Sequence, residues 1–125
     1  MPNFLLVMIG GAIGAGVRYG VTLIAAQRAS AAFPWGTWAV NLVGSLLAGL
    51  ALGIILARGG EGDTIRVFIL TGILGGFTTF SAFSAETAFM IFEGQYAAAA
   101  FYVASSVIGA LLLTFLGLWL SGAGA

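Results

Sequence analysis

The chain has 125 residues, of which 61% are hydrophobic and 6% charged, with four Arg balanced by four acidic residues and neither Cys nor His. A soluble domain carries about 25% charged residues, so most of this surface is expected to face lipid. Thiolate and imidazole metal sites, cysteine nucleophiles and histidine-dependent catalysis are excluded, and four Arg offset by four acids make no basic patch for nucleic acid.

One domain over residues 1–125 is expected, built from four membrane spans. The first runs roughly from Pro2 to Ala26. It lacks the charged start and cleavage site of a secretory signal and is therefore expected to be retained. It holds Arg18, whose charge would cost at least about 2.5–3.5 kcal/mol near the bilayer centre; Arg18 is read as lying near an interface and snorkelling. The residues Gln27-Arg28-Ala29-Ser30 and Phe33-Pro34 mark the connector to the second span, roughly Trp35 to Ala57. There Thr37, Asn41 and Ser45 recur four apart and form one polar stripe. Asn41 lies within the span, and its amide would cost about 2–7 kcal/mol if left unsatisfied in hydrocarbon.

After Arg58-Gly59-Gly60-Glu61-Gly62-Asp63 comes the third span, about Thr64 to Phe92. As one straight helix its 29 residues would measure about 43 Å at about 1.5 Å per residue, against a hydrocarbon core about 30 Å thick. The stretch Gly75-Gly76-Phe77-Thr78-Thr79-Phe80-Ser81-Ala82-Phe83 interrupts it near its middle, so a helix broken at mid-membrane is expected. Backbone exposed there survives only if it is buried in protein or lines a polar cavity, and such breaks are where ion sites are built. Beyond the break, Phe80, Phe83 and Thr87 share a face, Ser81 and Ser84 share the next, and Glu86 is read as lying inside the protein. Glu93-Gly94-Gln95 leads to the fourth span, about Ala97 to Leu120, where Tyr102, Ser106 and Thr114 form a stripe with Ala110 as an apolar gap. Trp35, Trp38, Tyr96 and Trp119 fall near span ends, where amphipathic rings favour the interface.

Orientation follows Lys and Arg in short loops. Arg58 and Arg66 lie on one side and Arg28 on the other, which is almost no bias. Insertion both ways up, giving an antiparallel pair with a two-fold axis in the membrane plane, and a single orientation fixed by one Arg or a partner both remain open. Four spans are few for enclosing a solute path, so a homo-oligomer is expected. The pairs Gly10/Gly14, Gly16/Gly20, Gly49/Gly53 and Gly72/Gly76 have helix-packing spacing, and each reads first as packing within the subunit.

Three helices with polar stripes suggest a shared path, although any single Ser or Thr can instead bond the carbonyl four residues earlier. Asn and hydroxyl groups donate but can also accept, so donors alone leave the sign of the conducted ion open. Aromatic edges are electropositive, and two Phe rings presented edge-on would solvate a small anion without a formal charge to trap it; conduction needs such weak, multi-site binding. Exposed carbonyls at the break, those of Gly75 and Thr78 first, suit a hard cation such as Na⁺, which would be structural and would raise the local potential for a passing anion. Glu86 could be protonated, bond the polar stripe or pair with a cation; all three stay open.

At these residues the chain closely resembles the fluoride channel family known as Fluc or CrcB. Three ordered motifs carry the likeness over essentially the whole length: Gly10-Gly11-Ala12-Ile13-Gly14-Ala15-Gly16-Val17-Arg18-Tyr19, Gly36-Thr37-Trp38-Ala39-Val40-Asn41-Leu42-Val43-Gly44 and the stretch from Gly75 to Phe83. The resemblance implies a dual-topology homodimer in a bacterial inner membrane, with two anion pores and a central Na⁺ held by the backbone carbonyls of Gly75 and Thr78. It implies that Asn41, Phe80 and Phe83 line the fluoride route, that Ser81, Tyr102, Ser106 and Thr114 fall at polar-track or pore positions, and that Glu86 matches the family's mid-membrane Glu. Ala82 and Ala110 stand where some members have Thr and Ser, implying a shorter hydroxyl track and no direct role in ion binding for either. The implied function is passive efflux of fluoride trapped in the cytoplasm after HF dissociates. A small multidrug-type proton-coupled exporter, which resembles a family using a first-span Glu, is disfavoured because this first span has no carboxylate. A non-transporting scaffold leaves the broken span and Asn41 unexplained, and no nucleophile–base pair is available for an enzyme.

Overall fold

Long apolar runs free of internal proline wind into helices, and both prolines of this chain sit at helix starts: Pro2 begins α1 (Pro2–Arg28) and Pro34 caps α2 (Trp35–Ala57). The structure, a computed structural model, describes residues 2–29, 33–58 and 63–122. Ser30 of the first connector and residues 59–62 of the second lie outside them. The third passage is composite: α3 (Asp63–Arg66), a π-helical run (Val67–Leu74), α4 (Gly75–Phe77) and α5 (Phe80–Phe92). A turn with Gly94 at φ 77° reverses the chain into α6 (Tyr96–Leu120). There Gln95 N–H reaches the Met90 carbonyl at 2.8 Å and Gly94 N–H the Ile91 carbonyl at 3.0 Å, an αL helix stop that glycine adopts without Cβ strain.

Four segments are long and apolar enough to cross a membrane: Asn3–Arg28, Trp35–Ala57, Thr64–Phe92 and Tyr96–Leu120. They match the expected spans to within two residues. Large apolar side chains cover the outside of the bundle, among them Phe4, Leu112, Phe115 and Phe92.

The interruption of the third passage is narrower than the stretch expected from sequence, and the glycine pair does not form it. Gly75 is helical, at φ −63° and ψ −37°, and the backbone becomes extended only at Thr78 (φ −87°, ψ 156°) and Thr79 (φ −149°, ψ 122°). Two successive β-branched residues suit extended geometry. The glycines instead serve close packing. A Cβ at Gly76 would lie 2.5 Å from the Gly11 carbonyl oxygen, and one at Gly14 would overlap the Ile73 carbonyl.

Packing follows the same device. α1 lies along the π-helical run and α4, while α2 lies along α6. Gly117 of α6 leaves no room for a Cβ against Leu46 O and Leu50 N, and Gly49 of α2 none against the Thr114 carbonyl. Gly10/Gly14, Gly49/Gly53 and Gly72/Gly76 thus pack within the chain, whereas Gly16 and Gly20 face open space.

Gly49→Val is therefore expected to destabilise the fold by about 1–3 kcal/mol or more through overpacking, seen as a lower thermal midpoint in detergent. An unchanged midpoint would mean that α2 and α6 need not touch so closely.

Candidate functional site

Asn41 projects from α2 onto the interruption of the third passage. Its Nδ2 donates to the Thr79 carbonyl at 3.0 Å, and its Oδ1 accepts from the Thr79 N–H at 2.8 Å. A primary amide carries the same donor and acceptor as a peptide group, so Asn41 pairs with Thr79 as a neighbouring strand would. Both contacts together determine which way the amide faces. Thr79 also caps α5, its Oγ1 accepting from Ala82 N–H at 3.2 Å.

Around this pair lies a cavity of about 380 Å³ whose lining includes Asn41, Phe80, Phe83, Ser106 and Thr114, with Gly75, Thr78 and Thr79 at the interruption. Among the described residues, none that lines it is charged. The rings of Phe80 and Phe83 stand 5.6 Å apart at 44°. Phe83 is buried, while Phe80 is 79% exposed and leaves one wall of the cavity open. Ser106 is 6% exposed and its Oγ has no hydrogen-bond partner among the described residues; a buried unpaired hydroxyl costs free energy unless something meets it. Ala110 lines the same cavity.

Three of the expected site residues lie beside the cavity rather than on it. Glu86 is held by Thr37, whose Oγ1 donates to Oε2 at 3.2 Å, and by Tyr102, whose hydroxyl donates to Oε1 at 3.1 Å. Its carboxylate borders two further cavities of about 570 and 250 Å³, both reaching Pro34. Tyr102 is fully buried against Phe83, ring centroids 5.1 Å apart. Ser81 Oγ sits 3.3 Å from Thr79 Oγ1 at an exposed position.

Other hydroxyls of the stripes are already spent. Ser45 Oγ donates to the Asn41 carbonyl at 2.7 Å, Thr87 Oγ1 to that of Phe83 at 2.8 Å, and Thr114 Oγ1 to that of Ser45 at 3.1 Å. Arg18, expected near an interface, donates its Nε to the Gly76 carbonyl at 3.1 Å and ties α1 to α4. Trp38, expected near a span end, donates Nε1 to Ser105 Oγ at 3.0 Å and so ties α2 to α6. Sequence reasoning also missed Thr79 as the partner of Asn41; its signal was a Thr just before an apolar helical run, the pattern of an N-cap. Neither the partner of Arg18 nor that of Trp38 has such a local signal.

Residues 5–118 match the family described as CrcB-like protein, Camphor Resistance (CrcB). The chain belongs to the CrcB family. Among curated relatives, it is 48% identical over 121 residues to the "Fluoride-specific ion channel FluC" of Mesorhizobium japonicum, covering 97% of each chain. It is 50% identical over 120 residues to the protein of that name from Novosphingobium aromaticivorans, covering 94% of each. A further protein so named, from Chloroflexus aurantiacus, is 42% identical over 120 residues, covering 96% of this chain and 95% of that one. Together with the four long apolar helices, CrcB membership makes this a multi-pass membrane protein.

In this CrcB chain the Asn41–Thr79 pair should be separable from any ion. Asn41→Ala leaves the Thr79 N–H and C=O without their partner, at about 1–3 kcal/mol for each buried group left unsatisfied. The expected result is a clearly lower thermal midpoint in ion-free detergent; an unchanged midpoint would show that the pair does not hold the interruption.

Proposed function

We propose that this chain is a fluoride-selective channel that lets cytoplasmic fluoride leave a bacterium passively across the inner membrane. The observation that carries the reading is the neutral cavity: two Phe rings, the Asn41 amide and the Ser106 hydroxyl meet there, with no charged residue in the lining and no partner for that hydroxyl among the described residues. Ring edges and hydroxyl hydrogens attract a small anion weakly and at several points, as conduction requires, whereas a formal cation would trap it. The relatives that bear a fluoride-channel name support the choice of ion. They are channels by name, and the chain is read likewise as a channel and not an enzyme.

The pore needs a second copy. Phe80 lines the cavity and is yet largely exposed, and Gly16 and Gly20 face open space; an antiparallel partner would cover both. Such a dimer, inserted both ways up because the Arg count scarcely differs across the membrane, holds two pores and places the two interruptions near its axis at mid-membrane. Phe83 and Phe80 line each route with Asn41, and Ser106, Thr114, Tyr102, Ser81 and Glu86 continue it.

The interruption fits a structural Na⁺. In an unbroken helix the carbonyls of Gly75 and Thr78 would be met by the N–H groups of Thr79 and Ala82. Here Thr79 N–H donates to Asn41 and Ala82 N–H to the Thr79 hydroxyl. Two oxygens from each copy suit a hard cation, which when bound supplies positive charge near the anion route. Arg18 engages the intervening carbonyl of Gly76.

Purified protein in liposomes under an outward fluoride gradient, with a fluoride electrode and chloride as comparison, tests the reading. Fluoride is expected to leave and chloride to stay. Phe80→Ile should slow efflux by about tenfold or more, about 1.4 kcal/mol in the barrier, while the dimer stays assembled. A chain that passes no fluoride, or passes it only with a proton gradient, is not this channel; full activity of Phe80→Ile would reduce the ring to packing. An experimental structure in Na⁺ buffer should show density between two antiparallel copies of Gly75 and Thr78. Empty space there removes the cation, and parallel copies remove the dual topology.

A further inference from the structure

Phe33 belongs to the connector between α1 and α2, where neither helix period nor turn chemistry asks for an aromatic ring, yet it is the hub of the aromatic cluster. Its ring centroid lies 4.4 Å from Trp35, 5.7 Å from Phe101 and 6.5 Å from Trp38. It meets Tyr102 at 5.3 Å and 87°, an edge-to-face contact, the geometry that ring quadrupoles prefer. Tyr102 is thereby held between the connector on one hand and Phe83 of α5 on the other, at 5.1 Å. The same corner anchors α6 through Trp38 Nε1 on Ser105.

The contact matters because of what the phenol does. The Tyr102 hydroxyl donates to Glu86 Oε1 at 3.1 Å, just longer than the usual span of O–H···O bonds. A change in the tilt of the ring would weaken it further. The side chain is fully buried, and the Phe33 ring packs edge-to-face against it from the connector. Glu86 in turn borders the two cavities that meet at Pro34, the residue after Phe33.

We propose that Phe33 is a positioning residue: its edge-to-face contact holds Tyr102 at the tilt that delivers the phenol hydroxyl to Glu86, and so sets the junction between the Asn41 cavity and those bordered by Glu86. The effect on conduction rests on the fluoride-channel reading; the effect on the hydrogen bond does not. Leu at this position fills comparable space but offers no ring to orient its neighbour.

The test has two arms. In a Tyr19→Phe, Tyr96→Phe chain Tyr102 is the sole tyrosine, and the Fermi-doublet ratio of its Raman spectrum reports whether the phenol donates a hydrogen bond. Phe33→Leu should move that ratio away from the donor value, and Phe33→Tyr, measured for flux with all other tyrosines native, should conduct within about twofold of the parent because the ring is kept. In liposomes, Phe33→Leu should slow fluoride efflux by about tenfold, as should Tyr102→Phe, and the double variant should be no slower than either single one. An unmoved ratio, or losses that multiply in the double variant, overturns the proposal, as does a Phe33→Tyr chain as slow as Tyr102→Phe. Should Phe33→Leu fail to fold, Phe33→Met keeps the volume without a ring and is read in the same two arms. If the parent chain passes no fluoride, the channel reading fails and the Raman arm alone decides Phe33.

Discussion

The double hydrogen bond between Asn41 and the backbone of Thr79 holds the rest of the site in place. A helix that stops within an apolar bundle leaves a peptide N–H and C=O without the next turn to meet them, and each costs free energy if buried unpaired. A primary amide answers both groups at once; a hydroxyl or carboxylate at position 41 could not match donor to acceptor in the same way. With Thr79 secured from α2 and its own hydroxyl capping α5, the direction and rotation of α5 follow. That rotation buries Phe83 against Tyr102 and turns Phe80 outward.

Accounting for hydroxyl hydrogens separates the polar stripes into scaffold and candidate ligand. Ser45, Thr78, Thr87 and Ser105 give theirs to carbonyls four residues earlier, while Thr114 links α6 to the Ser45 carbonyl of α2. Thr37 and Tyr102 are committed to Glu86. Among the buried side chains described, Ser106 Oγ alone is left without a partner, and it faces the cavity. A stripe read from spacing therefore overstates the number of donors available to an ion, because back-bonding is invisible until each side chain's rotamer is known.

The close glycine contacts make these long-range bonds possible. Without a hydrophobic drive between helices in lipid, association depends on packing and hydrogen bonds, and both need the backbones near one another. Where α1 meets the third passage at Gly11 and Gly76, Arg18 comes within reach of the Gly76 carbonyl. Where α2 meets α6 at Gly49 and Gly117, Thr114 reaches Ser45.

Composition and hydropathy alone determined that the chain is helical and built for a membrane, and the four spans were legible to within two residues, because lipid demands an unbroken apolar run whatever the partners are. Residue chemistry alone also singled out Asn41, since an amide within a span must find a partner, and three ordered motifs carried the family. Tertiary structure alone decided who that partner is. It narrowed the interruption to Thr78 and Thr79, tied Arg18 to the Gly76 carbonyl, made Phe33 a hub and left Ser106 unpaired among the described residues. These choices join residues 38, 58 and 69 positions apart. They depend on how each helix is rotated against its neighbour, a quantity that local spacing does not contain.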